Sequence, residues 1–193
     1  MKTALLLSGQ PRYVEQCFPN IDRCIIQPNQ PDIFVYTWYD KEDEDKPFRY
    51  GRGWKDQRIT KNAPEKIYKL YNPVSVVYQP QESFKQQLEN NRIDFTKSLN
   101  SGYAGGAEDP ECAEYYTFAT FSMWCSIWHA HRLCLVYSLN KDIKYDAVIR
   151  CRFDLGINKV VKMENYDLNT MWHEDLGRPE LMNNWFNFSN WQN

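Results

Sequence analysis

Long apolar runs are missing from this 193-residue chain. Its apolar opening, residues 4–7 (ALLL), falls far short of the roughly 20 residues that cross a bilayer, and it lacks a signal-peptide cleavage pattern. The expectation is a protein without a transmembrane segment, placed in the cytoplasm. An excess of one charge is missing too. Twenty-three basic residues face 25 acidic ones, so the net charge is −2. That balance speaks against nucleic acid as the main partner, because phosphate binding leaves a basic footprint.

Several chemical signatures are also absent. The six cysteines (17, 24, 112, 125, 134 and 151) form no C-x-x-C pair, and a chain of this length does not need disulfide staples. Buried free thiols in a reducing compartment are expected. Histidine is scarce, with three in all, and there is no HEXXH, no zinc-ligand spacing, no G-x-S-x-G elbow and no kinase set. His129 and His131 stand two apart on a helical pattern and so point to different faces, which reads as structural. The Gly-rich stretch 98–110 lacks the Lys-Ser/Thr ending of a phosphate-binding loop and reads as a connector. No internal repeat is visible.

What is present alternates between short apolar runs and helical periodicity. Residues 2–8 (KTALLLS) read as a buried strand ending at Gly9, with Pro11 suited to a helix's first turn. Val14, Cys17, Phe18, Ile21, Cys24 and Ile25 recur at spacings of three and four, predicting a helix over 13–26. Residues 32–38 (DIFVYTW) are a second strand. Strand, helix, strand implies two parallel strands. Further on, helices are expected over 64–71, 83–90 and 113–139, and strands over 74–78 and 145–153. The long helix is apolar on most sides and should be deeply buried. A weak strand is expected around Val160, followed by aromatic-rich turns. One α/β domain over 1–193 is the reading. Residues 40–58, with a KEDEDK charge run, read as an exposed loop. It is either a solvated insertion or a mobile lid offering Arg49, Arg52 and Trp54 to an anion. The aromatic-rich tail 171–193 either packs back on the sheet or forms a docking surface through Trp172, Trp185, Phe186, Phe188 and Trp191.

Ligands in open α/β sheets bind outside the carboxyl ends of parallel strands. Three segments qualify: Ser8, Gly9, Gln10, Pro11 and Arg12 after the first strand; Thr37, Trp38, Tyr39 and Asp40 after the second; Arg152, Phe153 and Asp154 after the late one. Gly9 permits close backbone approach, the following helix offers amides to an anion, and Arg12 adds a bidentate donor. A plain strand-to-helix turn has the same composition. Alternation places Arg150, Arg152 and Asp154 on one strand face. They form either a salt-bridge cluster or a site where Asp154 holds a cation and an Arg neutralises a diphosphate. His173, Glu174 and Asp175 lie in an expected loop, as solvated residues or as a base.

The segments ALLLSGQPRYVEQCFPNI, DIFVYTW and KYDAVIRCRFDLGI, in that order, resemble a group of viral and bacterial glycosyltransferase-like proteins of capsule, lipopolysaccharide and capsid glycosylation. Members open with a strand ending in SGQ-x-R. They then carry a D-[IV]-F-x-x-[ST]-W strand and, after a long helix, a YD-x-[VI]-[IV]-R-x-R-x-D strand. The resemblance implies a GT-A-like, Rossmann-like sheet and transfer of a sugar from a nucleoside diphosphate sugar to a glycan or glycoprotein acceptor. It implies Ser8, Gly9, Gln10, Arg12, Trp38 and Asp40 near the nucleotide. Asp154 stands at the metal-binding position for Mn²⁺ or Mg²⁺, with Arg150 and Arg152 beside it. The base is drawn from Asp40, His173, Glu174 and Asp175. The chain departs from the usual pattern in having one acid, Asp154, where a D-x-D is usual. Many members also continue past the length of this chain, which fits a minimal enzyme, a fragment or one domain. A non-catalytic nucleotide- or carbohydrate-binding module and a partner-binding domain are the alternatives.

Overall fold

The computed structural model describes residues 1–44, 58–91, 110–170, 172–173 and 186–189, with residues 110–117, 173 and 186 as backbone alone. Most of the expected lid 40–58, the connector 98–110, Glu174, Asp175, Trp185 and Trp191 therefore lie outside the described residues.

The protein is α/β. Strands β1 (Thr3–Gly9), β2 (Asp32–Trp38), β3 (Ser75–Gln79), β4 (Ala147–Cys151), β5 (Trp172–His173) and β6 (Phe186–Ser189) form one sheet in the order β3-β2-β1-β4-β6-β5. The first four are mutually parallel, and β6 and β5 extend the sheet antiparallel beyond β4. The parallel pairing of β1 and β2 is as the sequence predicts, with Ala4 opposite Asp32 and Gly9 opposite Thr37. The chain runs from β1 outward to β2 and β3, then returns to place β4 on the other side of β1. The strand order therefore reverses between β1 and β4.

Side chains alternate between two covered faces. Leu5, Leu7, Ile33, Val35, Ala147, Ile149 and Cys151 pack beneath α1 (Val14–Ile21) and α3 (Ala63–Tyr71). Ala4, Leu6, Phe34, Tyr36, Trp38 and Val148 pack beneath α4 (Gln81–Asn90) and α5 (Pro110–Lys141). Free thiols Cys24, Cys134 and Cys151 are buried in these layers. No helix among the described residues is long and apolar enough to cross a membrane.

Three departures from the sequence reading have physical causes. The first helix starts at Val14, after Tyr13 in a left-handed conformation, so Pro11 precedes it. It then passes through a π-turn (Asp22–Ile26) into the short α2 (Gln27–Asn29). Pro28 has no N–H to offer the carbonyl of Cys24 four residues back, and the Val161 amide bonds that carbonyl instead, at 2.9 Å. Secondly, no strand forms around Val160. The Asn20 amide grips Ile157 at both its N–H and its carbonyl (2.6 and 2.9 Å). Asn29 accepts from Met163 N–H (2.8 Å) and donates to the Val161 carbonyl (2.6 Å). Side chains of the helical segment thus take the backbone bonds that a neighbouring strand would supply. Thirdly, α5 is buried on one face only. Trp124, Trp128, Leu135, Val136 and Leu139 are exposed, because the sheet and α4 pack against the opposite side of the helix.

Candidate functional site

The three segments singled out in the sequence all end at the carboxyl edge of neighbouring strands, β2, β1 and β4. The reversal of strand order between β1 and β4 is where open α/β sheets form their ligand crevice. Across that point the side chain of Arg12, after β1, meets Asp154, after β4. Arg12 Nη2 stands 2.7 Å from Asp154 Oδ2. Arg152 holds the same carboxylate in a fork, Nε to Oδ1 at 2.8 Å and Nη2 to Oδ2 at 2.7 Å. Arg12 and Asp154 are nine-tenths buried, and Arg152 is more open. The carboxylate therefore fixes the planes of two guanidiniums. Its charge is also felt by the Cys17 thiol beneath, which burial first and Asp154 second push up.

The segment after β1 is held by a set of local bonds. Gly9 adopts φ +101°, a backbone region that favours glycine, while an added Cβ would meet nothing within 4 Å. Backbone conformation, not crowding, selects glycine here. Thr37 Oγ1 donates to the Gly9 carbonyl (2.7 Å), tying the ends of β1 and β2. The Gln10 amide donates to Gln81 Oε1 (2.8 Å), and Gln81 in turn donates to Ser122 Oγ (2.6 Å). This chain links the turn to α4 and α5. Ser8 is buried at the end of β1. Thr60 bonds the Pro11 carbonyl through its N–H and accepts from Val14 N–H at 3.2 Å. The first amide of α1, expected to face an anion, is thus capped by Thr60.

Other residues singled out in the sequence are engaged in the fold itself. Trp38 is a core residue, 2% exposed, stacked on Phe84 and donating its indole N–H to the Ser122 carbonyl. Alternation sends it into the α5 face, and its ring presents no surface at the edge. Asp40 caps the turn Lys41–Asp43 by accepting from Glu42 N–H at 3.0 Å. Strand β4 ends at Cys151, so Arg152 and Asp154 lie past it and do not continue one strand face with Arg150. Arg150 stays inside the sheet, 5% exposed, opposite Leu6 of β1 and Asn187 of β6. His173 lies in β5 rather than in a loop. His129 stacks on Tyr36 at 4.5 Å, and burial, then the Arg132 charge, lowers its pKa.

The donor set around Asp154 does not fit a divalent cation. It is a single carboxylate with both oxygens bonded to guanidinium N–H groups, and no three of His, Cys, Asp and Glu cluster among the described residues. Sequence reasoning missed the contacts of Thr60, Gln81 and Ser122, none of which carries a motif of its own. No protein-family model matches the chain, and no curated protein or solved structure matches it either.

Proposed function

We propose that this protein is a GT-A-like glycosyltransferase that takes a sugar from a nucleoside diphosphate sugar to a glycan or glycoprotein hydroxyl. The observation that carries the reading is the Arg12–Asp154–Arg152 cluster, seated at the switch point between β1 and β4. The nucleotide lies along the turn after β1, beside Ser8, Gly9 and Gln10. The diphosphate faces Arg12 and Arg152. In the reaction the bond from the anomeric carbon to the diphosphate oxygen breaks and a bond to the acceptor oxygen forms. The hydroxyl proton leaves to a base or to water. The guanidiniums stabilise the negative charge that grows on the departing diphosphate, and Asp154 positions them beforehand. Asp154 is thus a positioning residue for two cations.

A binding module that holds the same ligand without turnover is the second reading. It is favoured by two of the residues from which a base is expected: Asp40 caps the turn Lys41–Asp43, and His173 lies in β5. Release of free nucleoside diphosphate from UDP-, GDP- and dTDP-sugars, and of CMP from a CMP-sugar, separates the two. Release that rises with added acceptor and falls at least tenfold in Arg152→Met supports transfer. Tight donor binding with no release at any acceptor concentration supports the module.

A further inference from the structure

The guanidinium of Arg150 stands apart from the pairing around Asp154. Its Nη2 is fully enclosed and has no hydrogen-bond partner. The residue is 95% removed from solvent in the middle of a sheet, where an unpartnered charged donor is costly. It is charged at neutral pH, since burial lowers its pKa only to about 10. Its face of β4 is also that of Val148 and of Leu6 across the sheet. In the same register row stand Asn187 of β6 and the backbone position of His173 in β5. His131 of α5 is itself exposed, and its pKa is lowered by desolvation first and by the Arg150 charge second. α5 packs on β1, β2 and β3, so this row lies to the side of the ground it covers.

We propose that Arg150, with Asn187 beside it, is an oxyanion-binding site for a phosphate or carboxylate group of a ligand, set inside the sheet next to the Arg12–Asp154 edge. The enclosed Nη2 supplies a charge-assisted donor, and the Asn187 amide supplies a neutral one in the neighbouring strand. Entry of the anion requires the side chains over Arg150 to part. The site does not depend on sugar transfer, and its test uses no sugar nucleotide.

The test compares thermal stability in chloride, in inorganic phosphate and in acetate at fixed ionic strength, for the wild type, Arg150→Met and Arg150→Lys. In chloride, Arg150→Met should melt at or above the wild type, because it removes an uncompensated buried charge while keeping the volume. Phosphate or acetate should raise the melting temperature of the wild type and, less, of Arg150→Lys, and leave Arg150→Met unmoved. A response to phosphate alone assigns a phosphate-bearing ligand, and a response to acetate alone a carboxylate. Equal responses in wild type and Arg150→Met overturn the proposal. So does an Arg150→Met variant that melts far below the wild type or fails to fold. In the wild type alone, NMR titration of His131 should show its pKa rise when the effective anion is added. An unchanged His131 in both anions also overturns it.

Discussion

Asp154 concentrates more of the site's electrostatics than any other described residue. Its carboxylate is nine-tenths buried and pairs with Arg12 and Arg152 together. Replacing it with alanine leaves two guanidiniums packed against each other without that anion. Asp154→Ala should therefore lose about 3 kcal/mol in urea unfolding, at the lower end for a broken buried pair because Arg152 is partly open. A loss under about 0.5 kcal/mol, the range of ordinary surface changes, would mean that the cluster contributes little to the fold. Tyr39 gives a second test at this scale. Burial, then its 2.7 Å hydrogen bond to Glu44, pushes its pKa up to about 12. A tyrosine raised in the folded state favours folding with its proton on. Its contribution is complete below the unfolded value of about 10 and is lost as pH climbs from there toward 12. Ultraviolet titration should show one tyrosine ionising near pH 12, and Tyr39→Phe should flatten the stability loss over that window.

At the scale of elements, the segment 157–163 is the informative case. It has no strand or helix of its own beyond the turn at Met163–Asn165, yet Val161 and Met163 are core residues. Asn20 and Asn29 hold it against the first helix. Asn29→Ala removes three hydrogen bonds, including one to the Ile25 carbonyl, and should cost about 1–3 kcal/mol. Hydrogen exchange should quicken at Met163 N–H while the β1 and β4 amides keep their protection. Equal quickening in the strands would mean the clamp is part of the global unfolding unit. The first three strands were legible because each is a short apolar run with Gly or Pro at or near an end: Gly9 in β1, Pro31 before β2, Pro73 and Pro80 around β3. β4 was read too long at both ends, since Tyr145 and Phe153 are apolar and buried but lie outside the ladder. The missing strand at Val160 had no local warning. Asn20 and Ile157 are 137 residues apart, and asparagine in a helix does not announce a partner.

At the scale of the whole molecule, the α/β class, the parallel pairing of β1 with β2 and the meeting of the segments after β1 and β4 followed from the sequence. The hairpin of β5 and β6 did not. Its strands are two and four residues long, too short for an alternation signal; β6 is fixed by pairing with β4, and β5 by pairing with β6. Arg150 was grouped with Arg152 and Asp154 because period-two alternation was carried past the point where the strand stops. That termination separates the enclosed guanidinium of Arg150 from the shared carboxylate of Asp154. The outward apolar side of α5 was equally hidden, since a helix apolar all round does not reveal which side the sheet covers.

The central claim is that the carboxyl edge of β2, β1 and β4 binds a nucleoside diphosphate sugar. Thermal unfolding of the wild type against UDP-, GDP-, CMP- and dTDP-sugars, each with and without Mn²⁺, tests it most directly. One nucleoside diphosphate family, UDP, GDP or dTDP, should stabilise the fold by roughly 2–3 kcal/mol at a hundredfold excess over its dissociation constant, and a response to the CMP-sugar alone would speak against a diphosphate donor. The donor set around Asp154 predicts that the shift persists without the metal. No shift with any sugar nucleotide, in a sample that unfolds cooperatively, would contradict the account.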